Sequence, residues 1–377
     1  MFFPPRGVLF AGCPLNATSV GILVGVVFVL ANIVPAQDTR QSSLSGKVDA
    51  VVQQQIKDYN IPGLSIAVVQ HGQLVVSKSY GWADLENRVA VTNNTLFRIG
   101  SITKSITATA AMMMAERHQL DLNAPVQRYC AGYPEKEWPV TTRQLLAHIG
   151  GVRGFRSEAG MSPELLSDSH YLRVADSLPL FANDPLTAKP GTHYEYSNYG
   201  YNLIGCALEA ASGLRFDELL RNLIFTPARM TAITLDDSLA IIPRRSRYYT
   251  HTKDGAIRNA KSIDTSNRIP AAGLLSTAND LASFVLALES GKLLSSDSIH
   301  QMWTEQITTD GSHNGYALGW MIHQLKTTSV IAHTGEQPGS SAILCIFPNS
   351  QAAYVVLANA DAAGLWKWAD QIAELIK

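Results

Sequence analysis

The sequence predicts one mixed α/β domain, in which an antiparallel sheet is flanked by helices and an inserted lobe is mostly helical. Strand-like segments lie towards both ends of the chain, at 63–81 and 316–359, and helical patterns fill the stretch between them. The simplest packing joins both groups of strands in one sheet, so that the middle of the chain forms the lobe. A site is expected in the cleft between sheet and lobe.

The first part of the domain predicts a helix, a hairpin and a second helix, in that order. Apolar residues recur on one side of 44–59, as in an amphipathic helix. The stretch GLSIAVVQHGQLVVSKSYG (63–81) is typical of two strands joined by a tight turn at His71-Gly72. The stretch SITKSITATAAMMMAERHQL (101–120) predicts a helix that begins at its serine.

The rest of the chain predicts further helices, then a group of strands, then a last helix. The helical stretches are TTRQLLAHI (141–149), NLIGCALEAASG (202–213), FDELLRNLIF (216–225) and STANDLASFVLALESG (276–291). The strand-like stretches are YALGWMIHQL (316–325), SVIAHTG (329–335), SAILCIFP (341–348) and AAYVVLAN (352–359). The last helix is predicted at 364–377.

Composition limits the partners that are expected. Hydrophobic residues make up 46% and charged residues 16% of the 377, so the chain can bury a large core. The formal net charge is -1, and the charges form no basic or acidic block. Neither nucleic acid nor an anionic membrane surface is therefore expected as a partner.

The four cysteines are scattered along the chain, at Cys13, Cys130, Cys206 and Cys345. No two of them form a Cys-x-x-Cys pair, which argues against a zinc knuckle, a redox pair and a disulfide framework. We therefore expect them to be small buried side chains.

An apolar run at the N-terminus, TSVGILVGVVFVLANIVPAQ (18–37), predicts an export signal. Val34 and Ala36 offer small side chains at the −3 and −1 positions of a signal-peptidase site, so cleavage is expected after Ala36. The run is long for a signal core, and the alternative is an uncleaved membrane anchor through residues 18–35. Either interpretation predicts a periplasmic or extracellular location.

Ser101 and Lys104 form a pair at the start of the predicted helix. Their spacing puts both side chains on one face, one turn apart. A serine hydroxyl becomes a nucleophile when a base takes its proton, and burial and the positive end of a helix favour the neutral lysine that can do so. The backbone N–H of Ser101 would face a developing oxyanion. The alternative is a helix cap followed by a solvated lysine.

Two further triplets carry polar chemistry. The triplet YSN holds the phenol of Tyr196, a second base or proton relay, and the amide of Asn198, which can hold a substrate carbonyl. The triplet HTG, at His333, Thr334 and Gly335, lies late on a predicted strand. Its glycine would let a substrate backbone approach closely, and its threonine offers a hydroxyl. The alternatives are a tyrosine-rich packing loop and an ordinary strand end.

With the motifs S-x-x-K, Y-x-N and H-T-G in this order, the sequence resembles the serine β-lactamase and penicillin-binding-protein superfamily. The branch is that of class C β-lactamases, D-Ala-D-Ala peptidases and related esterases, and the resemblance covers roughly residues 45–375. Supporting stretches are LLAHIGGVRGF (145–155), AAGLLSTANDLASF (271–284) and GYALGWMI (315–322). The resemblance implies the β-lactamase/transpeptidase-like fold. With the N-terminal apolar run taken as a signal or anchor at 1–36, the hydrolase domain is expected at 37–377.

More narrowly, two stretches resemble the mitochondrial serine β-lactamase-like protein of animals and its bacterial relatives. They are LDLNAPVQRYCAGYPEKEWPVTTRQLLAHIGGVRG (120–154) and LPLFANDPLTAKPGTHYEYSNYGYNLIG (178–205). Such a likeness indicates fold and reaction type, whereas the substrate differs among members of a fold.

The resemblance implies a two-step reaction. Ser101 would form an acyl-enzyme, Lys104 and Tyr196 would handle its proton, and water would then release the acid. The backbone N–H groups of Ser101 and Glu336 would form the oxyanion hole. No metal or cofactor is implied, and the sequence holds neither a His-Glu-x-x-His zinc pattern nor a Gly-x-Ser-x-Gly elbow.

Substrate contacts would come from Asn198, His333, Thr334 and Gly335. Two departures from the family pattern bear on the substrate. β-Lactamases of this branch usually carry lysine where His333 stands, and a neutral histidine attracts a carboxylate less. Small residues are usual at Glu336, whose charge would repel a carboxylate. We therefore expect neutral or cationic peptides or esters to be better substrates than anionic β-lactams.

Three functions are compatible with these motifs. The first is an exported serine hydrolase, a peptidase or amidohydrolase that acts on small peptide-like substrates. The second is an esterase or a weak class C-like β-lactamase. The third is an assembly-forming or binding protein with little catalysis, for which self-association would be the main property. The intact motifs favour an enzyme, although the fold alone does not decide it.

Overall fold

The computed structural model describes residues 36–156, 162–326, 328–361 and 363–376, with side chains from residue 43 onwards. The apolar run at 18–35, for which an export signal or an anchor is expected, lies outside the described residues. Within the described part of the chain, no helix has the length and apolar character that crossing a membrane requires.

Strands and helices follow one another much as the sequence predicts. The strands are β1 (Gly63–Gln70), β2 (Gln73–Asp84), β3 (Val89–Ala90), β4 (Phe97–Arg98), β5 (Thr234–Leu235), β6 (Tyr249–His251), β7 (Ile257–Asn259), β8 (Leu274–Ser276), β9 (Met321–Gln324), β10 (Ser329–Gln337), β11 (Ser340–Phe347) and β12 (Ala352–Ala358). The helices are α1 (Ala36–Asp58), α2 (Ile102–Glu116), α3 (Thr142–Leu146), α4 (Asn198–Ser212), α5 (Phe216–Leu220), α6 (Ile269–Ala272), α7 (Ala278–Glu289), α8 (Ser296–Trp303) and α9 (Trp366–Ile376).

Strands from both ends of the domain form one antiparallel sheet, in the order β3-β2-β1-β12-β11-β10-β9. The two groups meet where β1 pairs with β12, from Leu64 opposite Ala358 to Gln70 opposite Ala352. Two small sheets, β4-β8-β5 and β6-β7, lie outside it. The antiparallel sheet with its flanking helices confirms the predicted fold class.

Alternate side chains of the central strands enter two separate hydrophobic cores, as the period of two in a strand requires. On one face, Ile66 of β1 and Val356 of β12 pack with Val52 of α1 and Trp368 of α9. On the other face, Ala67 and its neighbours pack against α2, α7 and the helical lobe. The sheet is therefore covered by helices on both sides.

Helix α2 runs through the second core and is buried all round. The side chains from Ile102 to Met114 are all buried, although they include four polar residues and a lysine. A helix with apolar surroundings on every side is typical of the interior of a large domain. This location removes the first turn of α2 from water, with the consequences for Lys104 that are described below.

Turns and glycines account for several of the boundaries. His71 and Gly72 both have positive φ, at 50° and 70°, as the tight hairpin turn between β1 and β2 requires. The predicted helix at 101–120 ends earlier, at Glu116, and His118 already has a φ of 56°. The predicted strand at 316–325 is reduced to Met321–Gln324.

A disulfide joins Cys130 to Cys206, contrary to the expectation that all cysteines are free. Their Cα atoms lie 5.5 Å apart, although 76 positions separate them in sequence. The prediction from spacing failed because the pair forms only when α4 packs against the loop that holds Cys130. Cys345, in contrast, is a free and fully buried cysteine of β11, as expected.

Candidate active site

Ser101 lies at the start of α2, in a loop that approaches β10. Its backbone angles are helical, and its side chain makes no capping hydrogen bond to α2. The residue is partly exposed, so its hydroxyl is accessible from outside. The alternative of a serine that only caps a helix therefore does not describe this residue.

The Lys104 amine is fully buried beside Ser101. Its Nζ lies 3.1 Å from Ser101 Oγ, 2.7 Å from Asn198 Oδ1 and 3.1 Å from the backbone oxygen of Ala271. The last two oxygens can only accept, so each takes one N–H of the amine. A neutral amine then has its lone pair left for the serine hydroxyl, as a proton acceptor needs. The alternative of a solvated lysine does not hold either.

Burial holds the pKa of Lys104 well below its usual value, and the nearby positive charge of Arg268 adds to this effect. Arg268 is only 1% exposed and donates to two backbone carbonyls and to the side-chain oxygen of Asn267. Burial lowers the pKa of Arg268 to about 10, so it stays charged at neutral pH. Among the described residues, no ion pair includes Lys104, so a charged amine would have no carboxylate partner there.

Tyr196 brings a phenol to the same point. Its hydroxyl is hydrogen-bonded to Ser101, and the Lys104 amine lies 4.7 Å from the centroid of its ring. The ring packs on the buried imidazole of His148, with ring centroids 4.2 Å apart. His148 Nδ1 accepts the backbone N–H of Ser197, which fixes the chain next to the phenol. Burial raises the pKa of Tyr196, although the bond to Ser101 opposes this, so the phenol is protonated at neutral pH.

Asn198 is the first residue of α4. Ser197 caps this helix, since its Oγ accepts the backbone N–H of Gly200 at 2.9 Å. The cap fixes the direction in which the Asn198 side chain leaves the backbone. Because Oδ1 of Asn198 is taken by Lys104, its NH₂ group is the part that can bind a ligand.

His333 differs from the substrate contact that the sequence predicts. It is 0% exposed, and its Nδ1 lies 2.7 Å from the backbone oxygen of Thr334, which only accepts. Nδ1 therefore carries the proton, and Nε2 accepts the hydroxyl of Tyr316 at 2.8 Å. Burial lowers the pKa of His333 to about 3, with a contribution from Lys104. A neutral imidazole with both nitrogens engaged has none left for a substrate carboxylate.

Gly335 is needed for packing within the protein, whereas the sequence suggested an approach by substrate. A Cβ on Gly335 would lie 1.9 Å from the backbone oxygen of Ile99 and 3.1 Å from the backbone nitrogen of Ser101. Gly100 has a φ of 49°, and a Cβ there would lie 2.9 Å from the backbone nitrogen of Glu336. The two glycines thus let the serine loop touch β10. The backbone nitrogens of Ser101 and Glu336 both lie at this contact between the loop and the strand.

Thr334 and Glu336 lie on the opposite face of β10 from His333 and Gly335, because side chains alternate along a strand. Thr334 is partly exposed and Glu336 is exposed. These two side chains therefore share the α1 and α9 face of the sheet with Val330 and Ala332 and reach solvent at the edge of β10, whereas His333 lies on the face that meets α2.

Three residues that shape the site belong to none of the motifs: Arg268, His148 and Tyr316. Each of them acts on a motif residue. Arg268 places a positive charge near Lys104, His148 packs on Tyr196, and Tyr316 donates a hydrogen bond to His333. His148 and Tyr316 lie in stretches that support the family resemblance, but the contacts themselves cannot be read from the sequence, since the partners lie far away along the chain. Among the described residues, His, Cys, Asp and Glu side chains nowhere gather in threes in a way that suits a metal ion.

Fold and site together define a class. The antiparallel sheet, the helical lobe and the serine–lysine pair at the start of a buried helix are those of the β-lactamase/transpeptidase-like proteins. The chain belongs to the Beta-lactamase family, whose sequence pattern it matches over residues 48–374.

Relatives and solved structures agree with this family. The human serine beta-lactamase-like protein LACTB, mitochondrial, is 28% identical over 384 aligned positions, which cover 78% of this chain and 70% of LACTB. The octameric penicillin-binding protein homologue from Pyrococcus abyssi is 25% identical, with a TM-score of 0.71 over 84% of this chain and 73% of that chain. D-amino acid amidase from Ochrobactrum anthropi SV3 is 25% identical, with a TM-score of 0.74 over 90% of this chain and 98% of that chain.

Proposed function

We propose that this protein is a serine hydrolase that acts on peptide-like amides through an acyl-enzyme at Ser101. The observation that carries the proposal is the Lys104 amine. It is buried without a counter-ion among the described residues, and it lies 3.1 Å from the serine hydroxyl. A neutral amine in this position serves as the base that a serine nucleophile needs.

Acylation begins when Ser101 Oγ attacks the substrate carbonyl carbon and its proton passes to the lone pair of Lys104. The two backbone N–H groups, of Ser101 and Glu336, stabilise the oxyanion of the tetrahedral intermediate. When the C–N bond breaks, the proton on the lysine amine passes to the leaving nitrogen. The products of this step are the ester at Ser101 and a free amine.

Tyr196 is the proton relay in this scheme. A second base would have to be a phenolate, but burial raises the pKa of this phenol and keeps it protonated. A protonated phenol beside Ser101 can donate to the leaving nitrogen while it takes the proton of Lys104. In the second step, water attacks the ester carbonyl and its proton passes to the same amine. When the bond between Oγ and the carbonyl carbon breaks, the amine returns this proton to Ser101 Oγ and the acid leaves.

Asn198 and Thr334 hold the substrate in this proposal. The free NH₂ group of Asn198 donates to an amide carbonyl of the substrate, and the partly exposed Thr334 offers its hydroxyl at the edge of β10. His333 has a supporting role, since it ties Tyr316 to the backbone of Thr334. Gly335 keeps the serine loop against β10.

Amides are the favoured substrates for two reasons. D-amino acid amidase, a structure similar over 90% of this chain, has been solved with L-phenylalanine amide. In addition, the nitrogen of an amide substrate must receive a proton before it can leave, and a proton relay supplies it. The alkoxide or phenolate of an ester substrate leaves more easily without one.

The test is covalent labelling of the intact protein with a fluorophosphonate or a labelled penicillin, followed by mass measurement. One adduct is expected on the native chain and none on Ser101→Ala. Unchanged thermal unfolding of Ser101→Ala shows that the loss is chemical. Absence of an adduct with every acylating agent would favour an assembly or binding protein. Faster turnover of a cephalosporin than of amino-acid amides would favour the β-lactamase alternative.

Export of the chain, with residues 1–36 as signal or anchor and 37–377 as the hydrolase domain, is part of the proposal. The disulfide between Cys130 and Cys206 supports it, because disulfides persist in oxidising compartments. Fractionation of cells that express the full chain tests it. Recovery of reduced, unprocessed protein from the cytoplasm would count against export.

Self-association is a further part of the proposal, supported only by the octameric state of the Pyrococcus abyssi homologue. Light scattering of the purified chain measures its mass in solution. A monomer at all concentrations would end this part of the proposal without affecting the chemistry.

A further inference from the structure

One edge of β10 is open at the site. Strand β9 pairs with β10 only from Ser329 to Ala332, whereas β11 pairs with it on the other side as far as Gln337. From residue 333 to 337, no described strand covers the first edge. A substrate held by the N–H of Glu336 would therefore lie along this edge, beside the side chains that reach solvent there.

Thr334 and Glu336 are the two side chains of this stretch that face outwards. His333 and Gln337 point inwards: His333 is bonded to Tyr316, and Gln337 donates to the backbone oxygen of Ala272. The outward face thus offers one hydroxyl and one carboxylate to whatever binds. Between residues 333 and 337, no further side chain lies on this face of β10.

The Glu336 carboxylate has no partner in the described part of the chain. None of the ion pairs or side-chain hydrogen bonds found there includes it, and the residue is exposed. Many other carboxylates of the protein are engaged: Arg98 binds Asp236 at 2.6 Å, and Arg153 binds both Glu164 and Asp184. A free carboxylate two residues from Thr334 is therefore available to a ligand.

We propose that Glu336 forms a subsite for a positively charged group of the substrate, within a few bonds of the carbonyl that Ser101 attacks. The proposal deepens the proposed function and rests on it for the position of that carbonyl. The backbone N–H of Glu336 would hold the carbonyl oxygen, so its side chain lies close to the reacting bond. The substrate class is an amino-acid amide or short peptide with a free α-ammonium group.

A carboxylate in this position discriminates by charge in both directions. It attracts an ammonium group and repels a carboxylate at the same place, and both effects are strengthened where the substrate excludes water. A charge-assisted hydrogen bond of ordinary strength corresponds to a preference of about ten-fold or more. High salt would weaken the preference, because the subsite is open to solvent.

The kinetic test compares alanine p-nitroanilide, of either hand, with its N-acetyl and N-succinyl derivatives, which carry charges of +1, 0 and −1. We expect kcat/KM to fall in this order for the native protein. In Glu336→Gln the ratio between the free amine and the N-acetyl compound should shrink about ten-fold. The matched control is Glu374→Gln, an exposed glutamate of α9 outside the open stretch of β10, which should keep the native ratio.

A binding test separates this proposal from the proposed function. Calorimetry on Ser101→Ala measures the affinity for alanine amide and for N-acetylalanine amide without turnover, with and without Glu336→Gln. A preference for the free amine that Glu336→Gln abolishes supports the subsite, even if the native chain forms no acyl-enzyme. Equal affinities for the two ligands, or a preference that survives Glu336→Gln, would overturn the subsite while leaving the acylation chemistry intact.

Discussion

At the scale of single residues, the proposed chemistry depends on two opposite effects of burial. Burial lowers the pKa of Lys104 and raises the pKa of Tyr196, since in each case the neutral form is favoured. In the proposed mechanism, the neutral amine acts as the base and the protonated phenol acts as the donor. Their shared neighbour, the hydroxyl of Ser101, lies between a proton acceptor and a proton donor.

Tyr196→Phe tests the relay while preserving the packing on His148. The ring keeps its contact at 4.2 Å between centroids, so the fold should be unchanged. Loss of the hydroxyl is expected to slow amide turnover by about 10²–10⁴-fold, the usual contribution of general acid–base catalysis. An activated aryl ester, whose leaving group needs no proton, should be affected less.

Measurement of kcat on both substrates, together with thermal unfolding, checks this prediction. Tyr194→Phe is the matched control, because this tyrosine lies two residues earlier and also contacts His148, with ring centroids 6.0 Å apart. Equal losses on amide and ester would contradict a relay role and indicate a general disturbance of the site.

The sequence predicted the motif residues but not all of their surroundings. Two pairs could be found from the sequence, Ser101 with Lys104 and Tyr196 with Asn198. The members of each pair are close in sequence and have a known chemical use. The inward orientation of His333 could not be found, because it depends on the hydrogen bond to Tyr316. In the same way, the packing role of Gly335 depends on the loop at residue 99.

At the scale of elements, α4 determines where the phenol and the amide lie. Its N-terminus carries Asn198, and its second half is tied by Cys206 to Cys130 in the lobe. The sequence predicted this helix with a later start, because the cap at Ser197 lies in a tyrosine-rich stretch without apolar periodicity. The short strands β3 to β8 were missed because two or three residues carry no periodic signal.

Reduction of the disulfide is expected to destabilise the lobe. Opening a bond that closes a long stretch of chain typically costs about 2–4 kcal/mol of unfolding free energy. Urea unfolding with and without dithiothreitol measures the difference. The double variant Cys130→Ala/Cys206→Ala should match the reduced protein and no longer respond to the reductant.

Cys345→Ala serves as the control for this experiment. It removes the buried free thiol of β11 and leaves the disulfide, so the response to dithiothreitol should persist. If the native chain has the same unfolding midpoint in both conditions, the two sulfurs do not form a stabilising bond in solution.

At the scale of the whole molecule, the site is a group of ionisable side chains that are kept neutral in the interior. Lys104 lies beneath the serine, and His148 and His333 flank the tyrosines. The pKa values of all three are lowered mainly by burial. Protonation of any of them places an uncompensated charge in the core, which costs stability.

This arrangement predicts that stability falls as the pH drops below about 6.5. The pKa of His333 is about 3 in the folded protein and 6.5 when unperturbed, so between these values the unfolded chain binds a proton that the folded chain does not. The stability that His333 contributes is therefore present above its unfolded pKa of 6.5 and is lost progressively towards pH 3. Between pH 7 and pH 4.5 the expected loss from this residue is about 2–3 kcal/mol.

Urea unfolding at pH 7 and pH 4.5 checks the size and the source of this loss. His333→Asn has no group to titrate in this range and should lose correspondingly less stability between the two pH values. His71→Asn is the control, because His71 lies exposed in a hairpin turn whose positive φ suits asparagine, and it should lose as much as the native chain. A buried neutral imidazole at residue 333 requires the native chain to lose more stability than His333→Asn between the two pH values. An equal loss in both proteins would show that the acid sensitivity arises elsewhere.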